Sequence, residues 1–413
     1  MNSVKVLGVF VCCFLFFSST FPAWANRDPL VQLLIKKGVI TEEEIAQMEK
    51  ELAKAPQPKE ECPRVDLVKA TSKLKVKGRA ALGYFDSGSA GSFPSGSFEV
   101  PEAKIQFGFE PDKYNTVILR ANLNNAIFNN LDYFYLDSKD FLPFLEDTSV
   151  KLSSRLGRFK LDLGEETWSN NPAESSLISN SAANSSGSDE GVQIGLNIGD
   201  KKRPVKITSA ITNGVTGVGS DTTTPKAFTG KISYRFCDPF YASASYYHSG
   251  MLKASNSEAS IAGLVTRPTN ALKWYRQMWE VDARYDLKPG KVIDPPAYTD
   301  SLAYLKLGYG QFNDNAQPVA DRDGIYGLVE GLWNITHKIY AVNRASFVDL
   351  DSDQTASLNS VTANKYLRYS FGLGYHLTDA AILKTEYSIN KARKVTTGDP
   401  HDDQFATVVS AQF

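Results

Sequence analysis

A period of two residues dominates this sequence from Lys73 to its last residue, Phe413. At the start of this region charged residues alternate with apolar or small ones: Lys73, Lys75, Lys77 and Arg79 with Leu74, Val76, Gly78 and Ala80. Successive side chains of a β-strand point to opposite faces, so this pattern predicts strands with one polar and one apolar face. We count about 16 such runs, near 73–86, 98–110, 114–123, 131–138, 148–160, 190–199, 204–213, 228–237, 239–251, 273–287, 300–312, 323–335, 338–350, 365–377, 380–391 and 402–413.

The final run shows most clearly which protein class these strands fit. One face carries Phe405, Thr407, Val409, Ala411 and Phe413, and the other carries Gln404, Ala406, Ser410 and Gln412. Apolar-out, polar-in strands in a long series are typical of transmembrane β-barrels. We therefore predict an all-β, antiparallel transmembrane barrel of about 16 strands, closed by pairing of the last strand with the first. A soluble β protein is the alternative that alternation alone leaves open.

The links between the runs favour the barrel, because outer-membrane barrels have short turns at one rim and longer loops at the other. Short links at 111–113, 200–203, 237–239, 336–337 and 378–379 follow even-numbered runs. Longer links rich in Gly, Ser and Asn, at 87–97, 161–190, 214–227, 252–272, 351–364 and 392–401, follow odd-numbered runs. A soluble β protein has no reason to keep this parity. The links 139–147 and 288–299 are longer than the rule expects, which leaves the strand count approximate.

Composition excludes several other classes. After the first 25 residues no stretch offers the roughly 18 apolar residues of a membrane helix, and the formal net charge of −1 does not suit a nucleic-acid binder. The four histidines, His248, His337, His376 and His401, lack metal-ligand spacing, and no Cys-x-x-Cys-His haem site exists. We find no nucleophile with a base in register, so we predict no enzyme activity, no catalytic residue, no metal and no cofactor.

The first 72 residues divide into three predicted segments. Residues 1–25 read as a signal peptide, with an apolar core and the small-x-small site Ala23-Trp24-Ala25. Residues 26–55 carry capping signals for a helical pair, either a small periplasmic appendage or an arm that binds a partner or another protomer. The Pro-rich residues 56–72 read as a linker, and 73–413 as the barrel. The protein is thus expected to be exported.

Cys62 and Cys237 are the two cysteines outside the predicted signal peptide. The link parity places Cys237 in a short turn and Cys62 just before the first strand, so both are expected on the periplasmic side. Disulfides form readily there. A bond joining linker to barrel is one hypothesis, and two unpaired thiols are the other.

One stretch resembles a known family. Residues 155–168, Arg-Leu-Gly-Arg-Phe-Lys-Leu-Asp-Leu-Gly-Glu-Glu-Thr-Trp, resemble the Gly-[Lys/Arg]-Phe-Lys…Gly-x-Glu stretch of the phosphate-selective porin family. The helical pair, ending in Gly38-Val39-Ile40-Thr41-Glu42-Glu43-Glu44, is similar to the segment that often precedes such barrels. The chain departs from the family at Asp162-Leu163, where the family usually has Pro-Phe. The resemblance supports a porin-like barrel more than it supports phosphate selectivity.

The resemblance implies a water-filled homotrimeric barrel whose loop after the fifth strand folds inward as a constriction. That loop follows Lys160 and is the longest link in the chain. Its polar residues suit a wet lumen, although a loop directed outward would be polar too. The constriction candidates are Asp162, Glu165, Glu166, Trp168 and Glu174. Carboxylates at a narrowing attract cations and repel anions.

Alternation also predicts which charged residues face the lumen. The basic candidates are Lys73, Lys75, Lys77, Arg79, Arg155, Lys206, Arg368 and Lys384, and the acidic ones include Glu280, Asp282, Asp286, Glu330 and Glu386. Mixed signs indicate a transverse field more than a single-sign filter, and simple solvated wall residues are the plainer interpretation. The three lysines are the best candidates for an anion-attracting patch at the periplasmic mouth.

These features together predict a porin of a diderm outer membrane, in contact with lipid and lipopolysaccharide, that passes small hydrophilic solutes or ions. The alternative is a barrel scaffold, or sheath, around a multihaem cytochrome in an electron-transfer complex. Since the chain has no haem motif of its own, that function would need a cytochrome partner.

Overall fold

The computed structural model describes Lys37 and residues 73–413, except 124–130, 146–147, 170–171, 201–202, 216–225, 255–258, 262, 290–300, 352–355, 359–360 and 394–400. The predicted signal peptide, helical pair and linker, with Cys62, therefore lie outside the described residues, Lys37 apart. Within the described part, no helix is long and apolar enough to cross a bilayer.

Sixteen long strands form one antiparallel sheet that closes on itself. They are β1 (Leu74–Ser87), β2 (Ser97–Phe109), β3 (Asn115–Asn122), β4 (Leu131–Lys139), β5 (Val150–Lys160), β6 (Ser188–Ile198), β7 (Val205–Thr212), β8 (Ala227–Cys237), β9 (Phe240–His248), β11 (Lys273–Pro289), β12 (Ser301–Gln317), β13 (Arg322–Asn334), β14 (Ile339–Leu350), β17 (Lys365–His376), β18 (Ala381–Arg393) and β19 (Gln404–Gln412). Three short strands, β10 (Leu252–Lys253), β15 (Ala356–Leu358) and β16 (Val361–Ala363), lie in links.

The predicted strand count and order are confirmed, because each predicted run overlaps one long strand. The largest boundary difference is at β12, which continues to Gln317 instead of ending near residue 312. The barrel closes as expected: β19 pairs with β1, with Gln412 opposite Arg79. Phe413 then exchanges two backbone hydrogen bonds with Gly78, at 2.9 and 3.0 Å.

Alternation directs apolar side chains outward and polar side chains into the barrel. On β17, Tyr369, Phe371 and Leu373 are exposed on the outer surface, while Arg368 and Ser370 are buried inside. The outward apolar series runs from residue 367 to 375, about 26 Å at a rise of about 3.3 Å per residue. This length matches the apolar band of about 25 Å that surrounds a transmembrane barrel.

The links keep the predicted parity, apart from one short link at the long-link rim and the longer links 140–149 and 290–300 at the short-link rim. At one rim, short links join β2 to β3, β8 to β9, β13 to β14 (residues 335–338) and β17 to β18. At the other rim most links are long, but 318–321 joins β12 to β13 in only a few residues. In the link 140–149, the described residues form a short 3-10 turn, Pro143–Leu145, and no strand.

Inward loops and the candidate channel

The segment 161–187 leaves the end of β5 and turns into the barrel. Leu161 and Leu163 are fully buried, and Gly164 adopts a left-handed backbone conformation (φ 62°). A Cβ atom on Gly164 would lie 2.2 Å from a carboxylate oxygen of Glu280 on the inner face of β11. Glycine at this position therefore permits both the turn and the close approach of the loop to the wall.

The first part of the loop is held by Lys231 of β8. Its ammonium lies 2.9 Å from Asp162 Oδ1 and 2.8 Å from Glu165 Oε1, and it donates a hydrogen bond to the Gly164 carbonyl. Burial by itself would raise the pKa of the Asp162 carboxyl, but Lys231, the Trp168 indole N–H and the Thr208 hydroxyl bring it below its usual range. Asp162 is thus an ionised anchor.

Carboxylates on the barrel wall accept hydrogen bonds from backbone N–H groups of the loop. Asp282 accepts a hydrogen bond from the Glu165 N–H at 3.1 Å. Glu386 of β18 accepts from the N–H groups of Ile178 and Ser179 at 2.6 and 2.8 Å. These carboxylates supply the hydrogen-bond acceptors that a neighbouring strand would otherwise provide. The backbone N–H groups of the loop are therefore satisfied without sheet formation.

Wall cations hold loop carbonyls in the same way. Lys384 donates to the Pro172 carbonyl at 2.7 Å, and Arg368 donates to the Asn180 carbonyl at 2.9 Å. Arg344 of β14 donates to the Ser179 carbonyl at 2.6 Å. The inward faces of β11–β14, β17 and β18, which we call the anchoring wall, therefore bind the loop through groups of both signs.

A second link also enters the barrel, which the sequence did not predict. Residues 259–261 and 263–266, between β10 and β11, run beside a buried triad in which Asp314 bridges Arg276, at 2.7 Å, and Arg322, at 2.6 Å. Arg276 also donates to the Val265 carbonyl at 2.9 Å. All three charged side chains are 0% exposed, so this loop is fixed by fully buried ion pairs.

The two inward loops are joined at the long-link rim by Asp189. This buried carboxylate accepts hydrogen bonds from the Ser260 hydroxyl at 2.5 Å and from the Gly214 N–H at 2.6 Å. Gly187 and Ile261 form an isolated β-bridge beside it. Asp189 thus connects the ends of three links.

The inward faces of β1–β5, which we call the lining wall, carry a different arrangement. Arg79 contacts Glu102 at 2.6 Å, and Asp132 contacts Lys104 and Arg120 at 3.0 and 2.8 Å. These side chains form a row of alternating sign across β1–β4, and all but Glu102 are 12–20% exposed. Arg79 reaches the loop as well, at 2.6 Å from Glu174.

Two cavities lie between the loop and the wall. The larger, about 710 Å³, extends from the loop residues 165–169 and 173–176 to the short-link rim at 378–381. The smaller, about 320 Å³, is lined by Arg155 and Lys206, two of the predicted lumen residues, together with Asp162 and Trp168. The constriction candidates Glu165, Glu166 and Glu174 line the larger cavity.

The predicted lumen residues lie in four places. Arg368, Lys384, Glu280 and Asp282 lie on the anchoring wall, where loop atoms approach them. Arg155 and Lys206 line the smaller cavity, and Arg79 links the lining wall to the loop. Lys73, Lys75 and Lys77 are exposed at the short-link rim, where Lys73 donates to the Pro111 carbonyl and Lys75 pairs with Glu110, both at 2.6 Å.

Sequence reasoning missed Arg276, Asp314 and Arg322, although all three fall on inward positions. One sequence signal could have indicated that the link before β11 enters the barrel. Ile261, Leu264 and Val265 are apolar, which is unexpected in a loop directed outward. Cys237 is exposed at the end of β8. Because Cys62 lies outside the described residues, the disulfide stays a prediction.

Comparison with solved structures shows the fold class. The chain is similar to OmpT, an outer membrane protein of Vibrio cholerae (TM-score 0.55, 11% identity, 82% of this chain and 97% of that chain). It is similar to the outer membrane channel DcaP of Acinetobacter baumannii (0.56, 12%, 82% and 97%) and to Salmonella typhi OmpF, solved in complex with daunomycin (0.50, 14%, 82% and 97%). The chain has a porin-type barrel fold.

No protein-family model matches the chain, and no curated protein matches it by sequence. The similar solved structures confirm the porin-like barrel at the level of fold. The resemblance to the phosphate-selective porin family is not confirmed, and the matched structures do not support a cytochrome sheath.

Proposed function

We propose that this protein is an outer-membrane porin of a diderm bacterium that passes small hydrophilic solutes or ions by passive diffusion, without enzymatic activity. The observation that carries the proposal is the closed 16-stranded barrel with an apolar outer belt and a charged interior crossed by the loop 161–187. An apolar surface of this height needs a bilayer, and a charged interior needs water.

The loop supplies the constriction in this proposal. Its acidic residues do not act as a free ring of negative charge, because each has a cation nearby: Glu165 has Lys231, Glu166 has Arg344 and Glu174 has Arg79. Of the three, Glu174 has the most exposed side chain, at 42%. We therefore expect weak ion selectivity, set by small imbalances between paired charges and not by a single sign.

We further propose a homotrimer embedded among lipid and lipopolysaccharide, as one of the similar structures is described as a trimer form of Vibrio cholerae OmpT. A cytochrome sheath is less well supported, because two loops already occupy the interior. In the described residues, Leu161, Leu163, Ile261 and Leu264 are all buried there. A cytochrome would have to displace fixed, ion-paired loops.

Planar-bilayer recording of the full chain tests the channel. Protein whose folded state is established by heat-modifiable migration on gels should insert as discrete, ohmic conductance steps, in groups of three for a trimer. Reversal potentials in a potassium chloride gradient should lie near zero. Folded protein that inserts without conducting would refute the channel, while strong anion selectivity with blockade by phosphate would favour the narrower phosphate-selective function.

A further inference from the structure

Lys306 stands apart from the other inward cations near the loop. It lies on β12, is 8% exposed and lines the cavity of about 710 Å³. Among the described residues no group lies within hydrogen-bond or ion-pair distance of its ammonium. Three wall carboxylates, Glu280, Asp282 and Glu330, act on it only through longer-range attraction.

Lys306 belongs to a cross-strand row on the anchoring wall. It lies directly opposite Arg284 on β11 and Glu330 on β13, and Glu330 lies opposite Arg344 on β14. Directly opposed residues have Cβ atoms about 5 Å apart, so this row places three cations within one small area. The Arg284 guanidinium is held 4.0 Å from the Tyr304 ring centroid, and Arg344 is held by the loop. Lys306 is the member of the row with its donors available.

The cavity lining as a whole is acidic. Its lining includes three cationic side chains and five carboxylates, an excess of two negative charges: Arg284, Lys306 and Arg344 against Glu165, Glu166, Glu174, Glu330 and Asp379. Glu174 and Asp379 are exposed, and Asp379 lies at the short-link rim. A dianion would be repelled here. A solute with one carboxylate and one ammonium group matches both parts of the lining.

We propose that this cavity is a binding subsite for small zwitterionic solutes of the amino-acid type, with the solute carboxylate on Lys306 and its ammonium towards Glu174 and Asp379. The proposal rests on the proposed channel function and specifies its solute class. The volume is within the range of about 300–1,000 Å³ that is common for small-molecule sites. Lys306 is then a binding residue for solute, and the anchored loop is the opposite side of the subsite.

Current blockade in planar bilayers by three matched probes tests the subsite. The probes are 4-aminobutyrate, which carries both charged groups, butyrate, which carries only the carboxylate, and butylamine, which carries only the ammonium. The wild-type channel should show transient, concentration-dependent blocks with 4-aminobutyrate, and at least roughly tenfold weaker blocks with the other two, since each lacks one charged contact. Equal blockade by butyrate, or stronger blockade by inorganic phosphate, would overturn the proposal without any variant.

Two variants at Lys306 sharpen the test. Lys306→Gln should weaken blockade by 4-aminobutyrate roughly tenfold, and Lys306→Arg should keep most of it, because the charge is retained. Lys338→Gln, in an exposed short link, is the matched control and should leave blockade unchanged. Undiminished blockade in Lys306→Gln would refute the subsite. If Lys306→Gln does not fold, loss of blockade in folded Lys306→Arg would refute it instead. Absence of any conductance in wild type would instead refute the channel itself.

Discussion

The anchoring wall and the lining wall use the same residue types for different purposes. On the anchoring wall, Arg276, Asp314, Lys384 and Glu386 are at most 2% exposed and contact each other or the backbone of an inward loop. On the lining wall, the charged side chains pair across strands and most retain some exposure, with Arg120 at 12%. An inward charge in a barrel is therefore not by itself a selectivity filter, because the anchoring wall uses its charges to hold loops.

The physical reason is that an irregular loop inside a barrel must have its backbone polar groups satisfied. Long charged side chains of the wall can hydrogen-bond loop backbone groups that lie too far from the wall to pair with a strand. The cost of burying such charges is offset only where geometry and partners are good. The lining wall contacts the loop through the Arg79–Glu174 ion pair, the Lys160–Trp168 contact and the packing of Ile178 against Ala81 and Phe85. Its charges otherwise pair with one another across strands.

The largest effect is expected from the triad of the anchoring wall. Asp314→Asn removes the negative charge between two fully buried arginines, and so breaks the ion pairs that Asp314 forms with both. We expect a loss of about 3–5 kcal/mol in unfolding free energy, measured as a lower temperature or denaturant midpoint of the heat-modifiable gel shift. Glu110→Gln, which breaks an ion pair with the exposed Lys75, should cost no more than about 1 kcal/mol. Equal effects would contradict the distinction between buried anchors and exposed pairs.

A smaller effect on stability, but a clear one on conduction, is expected from Glu386→Gln. The amide keeps the shape of the side chain but weakens the acceptor for the Ile178 and Ser179 N–H groups, at a cost of about 1.5–3 kcal/mol. Loop 172–180 should then move within the lumen, so single-channel current should become noisier and its mean level should change. Thr385→Ala, on the outward face of the same strand, should conduct like wild type. Wild-type current in folded Glu386→Gln would mean that the other anchors suffice.

The lining wall should respond in selectivity and hardly at all in stability. Removing cations with the double variant Lys104→Gln and Arg120→Gln should shift the reversal potential in a potassium chloride gradient towards cation preference, since Asp132 would lose both partners. The unfolding free energy should change less than for Asp314→Asn. Asp132→Asn should shift the reversal potential in the opposite direction. Shifts of the same sign in the two variants would contradict a pore path along this wall.

Much of the barrel could be predicted because its signal is local. On β17 the order of apolar and polar residues already assigns Phe371 outward and Arg368 inward, without knowledge of any other strand. The pairing of β19 with β1 followed from the even count of strands. The role of Arg368 did not follow, because its partner, the Asn180 carbonyl, is 188 residues away along the chain.

The loop 161–187 shows where sequence reasoning ended. Its length, acidity and position after β5 indicated an inward loop, and Asp162, Glu165 and Glu166 are all in contact with wall cations. The sequence provided no way to see that these carboxylates would be largely neutralised. It also interpreted 252–272 as an ordinary outer link, although Ile261 and Val265 of that link are fixed inside the barrel by Arg276.

By itself, the sequence determined that this chain forms strands, how many there are, and which side chains face outward, because a period of two is a property of neighbouring residues. Only the tertiary structure decided which inward charges anchor loops and which line the pore. Closure of the barrel brings Glu386 to Ile178, which are 208 residues apart in the chain, and it leaves Lys306 facing a cavity. Such contacts depend on distances that arise only when the sheet has closed and the loops have entered it.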